Sequence, residues 1–139
     1  MVKNYNFKQV DCIFGPNIIT GFSDGDSISI EANEDSFTFE PANDGSGTRS
    51  ATNNTSARAT LRLQQTSPAN AILQAIHNSD RVSGAGVLPF TLKDRSGNTL
   101  HFAETMWIAR QPTSAFGKAS GAREWILETD NMIFGEGGN

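Results

Sequence analysis

Cysteine is almost absent from this sequence, which has only Cys12 among 139 residues. An intrachain disulfide is therefore impossible, and a small disulfide-stapled scaffold is excluded. No apolar run exceeds a few residues, so we expect no membrane insertion, and the first residues lack the apolar stretch of a signal peptide. The two histidines, His77 and His101, have no sequence neighbours that suggest a catalytic triad, and we expect ordinary surface or capping roles for them.

Clusters of lysine and arginine are also missing, so a basic nucleic-acid-binding surface is not indicated. Charged residues make up 19% of the chain, below the usual quarter, whereas glycine, serine, threonine and asparagine are plentiful. This composition favours short strands and turns within one domain spanning residues 1–139. Residues 1–44 hold eight acids and two bases, and residues 45–139 hold seven acids and nine bases. Such asymmetry suits head-to-tail contact between copies, although it also arises without a function.

The clearest local pattern is a strand that leads into a helix between Ser56 and Ile76. Small or apolar residues alternate with polar ones over 57–64, which predicts a strand with one buried face. Ser67 and Pro68 then form a helix start, with a hydroxyl at the N-cap and proline at the first helical position. The spacing predicts a short helix over about 68–78, with Ile72, Leu73 and Ile76 directed at the sheets.

The remaining segments read as short antiparallel strands, seven or eight in total. Residues 27–40 are predicted to form one hairpin, with Phe37 and Phe39 on its inner face and hydroxyl and carboxylate side chains outside. A long polar loop without large apolar side chains is expected over about 42–56, and such loops are usually functional or disordered. A flexible tail is expected over 135–139. The fold class predicted is mainly β, an antiparallel β-sandwich or barrel with one flanking helix.

Catalytic signatures are missing as well. The sequence has neither a Gly-x-Ser-x-Gly elbow nor a Walker-type loop, and a calcium loop starting at Asp24 fails because Ser29 stands where glycine is required. We therefore expect no enzyme activity, no catalytic residues, no metal site and no cofactor. Two alternatives remain open. One is a monomeric ligand-binding module, for example a carbohydrate-binding one using Trp107 and Trp125, and the other is a hydrolase that pairs Glu31 with Glu40 across the hairpin.

Four segments together carry a family resemblance: Tyr5-Asn6-Phe7 leading to residues 19–26; the polar segment with Asp44-Gly45, Arg49-Ser50 and Thr52-Asn53-Asn54; residues 59–73, with Gln65-Thr66-Ser67-Pro68; and Gly121-Ala122-Arg123-Glu124-Trp125. The chain resembles the tail-tube proteins of contractile-tailed bacteriophages. The resemblance implies a β-barrel-like subunit that assembles into hexameric rings, which stack into a hollow tube. DNA would leave the virion through this tube without sequence-specific binding. Implied partners are other copies of the chain and the sheath, baseplate and tail terminator proteins. The implied location is the virion, after synthesis in the host cytoplasm.

Within that framework, two sets of residues are candidates for the function. Lumen-facing candidates come from the polar faces of 27–40 and 57–64, because a hydroxylated, net acidic wall would let DNA slide: Ser27, Ser29, Glu31, Thr38, Glu40, Thr60, Arg62 and Gln64. Arg62 departs from this logic, and a partner in Glu31 or Glu40, or a place at a subunit joint, is expected for it. Contacts between rings are assigned to the long loop: Asn43, Asp44, Arg49, Thr52, Asn53 and Asn54.

Overall fold

The structure is a computed structural model that describes residues 2–138. After a 3-10 turn at Phe7–Gln9, the strands are β1 (Val10–Phe14), β2 (Asn17–Ile18), β3 (Ile28–Ala32), β4 (Phe37–Pro41), β5 (Gly47–Ala51), β6 (Ala57–Gln64), β7 (Leu88–Asp94), β8 (Leu100–Arg110) and β9 (Ala122–Thr129). The helix α1 (Ala69–Ser83) lies between β6 and β7.

Seven of these strands form one antiparallel sheet in the order β2-β1-β7-β8-β9-β6-β3. The other two, β4 and β5, form a separate hairpin. The mainly β, antiparallel fold class with one helix is confirmed, but the described strands do not close into a barrel. The sheet ends at β2 on one side and β3 on the other, and a single bridge between Phe22 and Leu63 connects the segment after β2 to β6.

The core lies on one face of this sheet, as the alternation in β6 predicts. Leu61 and Leu63 are fully buried, whereas Arg58 and Gln64 are exposed. Trp125 on the neighbouring β9 and Leu73 of α1 belong to the same buried cluster. The helix therefore packs against the apolar face of the sheet, and along β6 the opposite face is polar.

The predicted helix start is confirmed by its hydrogen bonds. By its hydrogen bonds the helix begins at Ala69 after Pro68, but Pro68 already has the helical angles φ −66° and ψ −20°. By torsion angles Ser67 is therefore the N-cap, and its hydroxyl accepts from the Ala69 N–H at 3.3 Å. The helix runs to Ser83, beyond the predicted end near residue 78, and ends at Gly84 with φ 71°. Leu73 is buried, but the prediction for Ile72 was wrong, because its side chain is 37% exposed.

The prediction of one hairpin over 27–40 was wrong. Strand β3 pairs with β6 instead of β4, so that Ile28 and Ile30 pack against the core beside Leu61 and Ala59. Strand β4 has no place in the large sheet, and Phe37 and Phe39 are 50% and 67% exposed rather than buried. Alternation revealed that both strands have two faces, but it could not reveal which partner each strand takes.

The prediction of an irregular loop over 42–56 was also wrong in part. Residues 47–51 form β5, which pairs antiparallel with β4, and the Thr52 N–H donates to the Ser36 carbonyl at 2.8 Å where the hairpin begins. This strand contains only small or polar side chains, so it has no apolar period that could have revealed it.

After β9 the chain returns along the first half of β8. Phe102 pairs with Ile133, and the Leu100 N–H donates to the Gly135 carbonyl at 2.8 Å. His101 is buried there, 3.0 Å from a Glu136 oxygen, so its assignment to the surface was wrong. The mobility expected for 135–139 stays a prediction, and Asn139 lies outside the described residues.

Candidate assembly surfaces

The polar face is the exposed side of the large sheet along β3, β6 and β9. Cross-strand pairing places Ser29 opposite Thr60 and Glu31 opposite Arg58, so these side chains share one face. Ala122 and Ile126 of β9 lie on the same face, and its eight polar residues are Ser29, Glu31, Arg58, Thr60, Arg62, Gln64, Glu124 and Glu128. Five of the eight predicted lumen-facing residues are therefore brought together.

Both arginines of the polar face form ion pairs. Arg58 donates through Nη2 to a Glu128 carboxylate oxygen at 2.6 Å, and Arg62 Nε lies 3.9 Å from Glu124. The expected pairing of Arg62 with Glu31 or Glu40 was wrong, because β9 rather than β4 lies beside β6. Three acids and two bases leave the face with one negative charge in excess. Among the described residues, Glu31 forms no ion pair.

Three predicted lumen-facing residues lie elsewhere. Ser27 precedes β3 and is 7% exposed, and its hydroxyl donates to the backbone carbonyls of Ser23 and Gly25. Thr38 and Glu40 are exposed, but they belong to the separate hairpin. No side chain of β4 can share a cross-strand pair with β3, because the two strands do not pair.

The hairpin, residues 37–51, has two distinct faces. One carries Phe37, Phe39 and Arg49, with the Arg49 guanidinium 4.1 Å from the centre of the Phe37 ring. The other carries Thr38, Glu40, Thr48 and Ser50. Every residue of both strands is exposed. The hairpin thus has an apolar face that nothing covers among the described residues, which is unusual for a monomeric protein.

The residues assigned to contacts between rings lie along this hairpin and its base. Asn43 and Asp44 are in the turn, Arg49 is in β5, and Thr52, Asn53 and Asn54 connect the hairpin to β6. The Asp44 carboxylate accepts from the Ser46 hydroxyl at 2.6 Å and from the Ser46 N–H at 3.0 Å. These bonds stabilise the charged carboxylate and lower the pKa of Asp44. The turn therefore keeps a negative charge over the whole physiological pH range.

A groove of about 510 Å³ lies where α1 begins, at the end of β6 away from the hairpin. Its floor is Trp125, which donates through Nε1 to the Asn70 side-chain oxygen at 3.0 Å. The walls are mostly amide side chains, with one arginine and one exposed aromatic ring: Gln65, Asn70, Gln74, Gln111, Phe116 and Arg123. The lining contains no carboxylate. The sequence interpretation missed this groove, because its residues are far apart in the chain.

Neither alternative function gains support from the geometry. Trp125 is 2% exposed, and Trp107 is half-buried opposite Glu128 on the other side of the sheet, so the two do not form a row for a sugar. The hydrolase required Glu31 and Glu40 to meet across a hairpin that does not form. No cluster of three or more potential metal ligands is found within residues 2–138. Over the same range, no helix combines the length and hydropathy that crossing a bilayer requires.

Arg58, Glu124 and Glu128 are members of the polar face that the sequence interpretation left out. The signal for Arg58 was present, because it alternates with Thr60 and Arg62 on one strand. Glu124 and Glu128 alternate with buried Trp125 and Leu127 in the same way. What could not be read from the sequence was that β9 lies beside β6.

Comparisons with known proteins agree on one identity. The family described as "Bacteriophage PhiTE tail tube protein" matches residues 9–134. The "Structural protein ORF10" of Pseudomonas phage KPP10 is 37% identical over 123 residues, which cover 87% of this chain and 71% of that protein.

Solved structures with a similar fold come from contractile injection systems. The tube terminating cap of the anti-feeding prophage superposes with a TM-score of 0.65 at 10% identity, covering 96% of this chain and 93% of that one. A chain of the PVC sheath–tube complex in its extended state gives 0.63 at 17% identity, covering 91% and 87%. At these identities the likeness concerns the fold alone. With nearly its whole length matched by the family, the chain belongs to the bacteriophage PhiTE tail tube proteins and is a structural component of a phage tail.

Proposed function

We propose that six copies of this chain form a ring, that rings stack into the tube of a contractile tail, and that DNA leaves the virion through its lumen. The main support for the proposal is the exposure of the hairpin, because all ten of its strand residues are exposed. A two-stranded hairpin is at best marginally stable alone, and this one presents two phenylalanines to solvent. Contact with another copy would cover them.

The sheet supports a tube whose wall is shared between subunits. Water-filled channels appear only in barrels of about 16–18 strands or more, and the sheet described here has seven. Its outermost strands, β2 and β3, each have one edge without a strand partner among residues 2–138. Free edges of this kind pair readily with strands of other chains. Sheets of neighbouring copies joined at such edges would enclose a lumen that one copy cannot.

The polar face is the surface we assign to the lumen wall, with Ser29, Glu31, Thr60, Arg62 and Gln64 retained from the sequence prediction. DNA has one negative charge per about 1.7 Å, and binding comes mainly from cations that replace its counterions. Both arginines of the face are near glutamates, and the face has a negative excess. Such a wall would bind DNA weakly and let it pass.

We assign Asn43, Asp44, Arg49, Thr52, Asn53 and Asn54, with the rest of the hairpin, to contacts between rings. The proposed partners beyond other copies are sheath, baseplate and tail terminator proteins. The two similar folds belong to a tube terminating cap and to a sheath–tube complex, which supports this assignment. The proposed role is structural, without catalysis.

The test is assembly of the purified chain with and without its hairpin. Residues 37–51 are replaced by a short Gly-Ser linker, because Ser36 and Thr52 are hydrogen-bonded and can be joined without disturbing the large sheet. We expect rings or tubes from the unaltered chain in negative-stain micrographs, and folded monomers from the variant. Circular dichroism and urea unfolding check that the variant keeps its sheet.

The matched control is the double variant Thr48→Ala/Ser50→Ala, which alters only the polar side of the hairpin and should still assemble. Intact tubes from the linker variant would contradict the role of the hairpin. An unaltered chain that stays monomeric under all assembly conditions would contradict the proposed function itself.

A further inference from the structure

The hairpin and the groove lie at opposite ends of β6. The hairpin is attached at the first end, where Ala32 pairs with Ala57 and the Asn33 N–H donates to the Ser56 carbonyl. The groove opens at the other end, where Gln64 pairs with Ala122 and the Gln65 N–H donates to the Gly121 carbonyl. Eight residues of strand separate these ends by roughly 25 Å. The hairpin of one copy therefore faces away from the groove of the same copy.

The two surfaces are chemically complementary. Residues 34–51, which contain the hairpin, carry four acids and one base, Arg49. Residues 111–123, five of which line the groove, carry two bases, Lys118 and Arg123, and no acid. Each surface also exposes aromatic side chains, Phe37 and Phe39 on the hairpin and Phe116 at the groove, where Phe116 is 81% exposed.

Contacts within the chain hold the lining of the groove in place. Arg123 donates to the Ala115 carbonyl at 2.9 Å and lies 5.3 Å from the centre of the Phe116 ring. The Gly121 N–H donates to the Gln65 side-chain oxygen at 3.1 Å, and Gln74 donates to the Gln111 side-chain oxygen at 3.2 Å. These bonds fix the wall of the groove against β9 and α1.

We infer that the groove is the docking site for the hairpin of a second copy, whose face with Phe37 and Phe39 packs against Phe116. The inference rests on the proposed function and names the receiving surface for the hairpin. Because the two surfaces differ and lie at opposite ends of the subunit, the contact is heterologous, and each added copy offers a new hairpin or a new groove. Acidic side chains beside the aromatic face of the hairpin then meet Lys118 and Arg123.

Cross-linking between two differently labelled copies tests the contact. One copy carries Ala51→Cys on the aromatic face of the hairpin, and the other carries Ser114→Cys in the groove. Native Cys12 is 1% exposed and will not react with a short bis-maleimide. We expect covalent dimers when the two copies are mixed under assembly conditions, and at least tenfold fewer from either copy alone. Ser50→Cys, on the opposite face of the hairpin, should also give at least tenfold fewer.

A second variant tests the energetics without cysteines. Phe116→Ser removes an exposed ring with few intrachain contacts, so the monomer should stay folded while the protein concentration needed for assembly rises at least tenfold. Val82→Ser is the matched control, since Val82 is 89% exposed on α1 outside the groove, and it should leave that concentration unchanged.

The outcomes separate this inference from the function on which it rests. If the unaltered chain assembles but neither cross-link nor Phe116→Ser effect is found, the groove is not the docking site and the proposed function stands. If the unaltered chain does not assemble, both are overturned.

Discussion

Cys12 illustrates how completely the core environment controls a single residue. Its side chain is 1% exposed beside Phe14, and burial raises the pKa of the thiol to about 12 from an ordinary value of 9.0. The charged thiolate is disfavoured because the interior cannot solvate it. Val10, Cys12 and Phe14 stand at every second position of β1, a pattern that predicts a small core residue at position 12.

The raised pKa predicts a pH dependence of stability with a definite sign. Above pH 9 the unfolded chain loses the thiol proton while the folded chain keeps it, so the free energy of unfolding falls as pH rises. The full contribution is present below about pH 9, and each further pH unit removes at most ~1.4 kcal/mol until about pH 12.

Urea unfolding of the native chain and of Cys12→Ala between about pH 8 and pH 11 measures this dependence. Cys12→Ala retains all other titrating groups, so the difference between the two chains isolates the thiol. The stability advantage of the native chain should shrink with rising pH, and a difference that stays constant would contradict the burial of the thiol.

At the scale of elements, the junction between β6 and α1 is where sequence and structure agree best. Ser67 caps the helix and also donates from its hydroxyl to the Thr20 carbonyl at 2.6 Å, which ties the segment after β2 to the helix start. Gly21 is required beside it, because its φ is 78° and an added Cβ would lie 2.5 Å from the Ser67 hydroxyl oxygen.

We expect Ser67→Ala to lower the free energy of unfolding by about 1–3 kcal/mol, since it removes the cap and leaves a part-buried carbonyl without its partner. Ser83→Ala at the other end of α1 is the control. Ser83 is exposed and donates to the Ser79 carbonyl within the helix, so its removal should cost less than about 0.5 kcal/mol. Equal effects of the two variants in urea unfolding would show that Ser67 does not cap the helix.

Elements whose signal is local were predictable, and those that depend on a distant partner were not. The β6 alternation and the Ser67-Pro68 start involve neighbouring residues, and both were confirmed. The partner of β3 is 30 residues away in β6, and nothing in the sequence of β3 distinguishes β6 from β4. For the same reason, the polar face was recognised on β6 but its contribution from β9 was missed.

Charge is distributed unevenly along the chain, and the hairpin, the groove and the polar face explain this distribution. The acidic first third of the chain supplies the surroundings of the hairpin, and the later basic residues include those beside the groove. The polar face keeps its arginines beside glutamates. Under the proposed function, the charges that hold copies together and the charges that face DNA are therefore on different surfaces, and each can be changed alone.

The double variant Glu124→Gln/Glu128→Gln changes the charges of the polar face and leaves those at the contacts between copies unchanged. It removes the ion-pair partners of Arg62 and Arg58, and it changes the polar face from one negative charge in excess to one positive charge per subunit. Both pairs are partly exposed, so stability should change by less than about 1 kcal/mol for each. We expect assembled rings of the variant to bind double-stranded DNA in gel-shift measurements, with an affinity that falls steeply as salt rises, whereas native rings should bind little.

The control Asp24→Asn/Asp26→Asn removes the same two charges from the turn before β3, outside the polar face, and should leave DNA binding as weak as in the native rings. A charge on the polar face is repeated in every copy of a ring and acts several times on the same duplex, so even one net positive charge per subunit should produce a measurable shift. If both double variants bind DNA equally, net charge alone explains the binding and the polar face is not the lumen wall. If only Glu124→Gln/Glu128→Gln binds, the DNA contacts that face, and the glutamates of β9 are what keep it from holding the DNA.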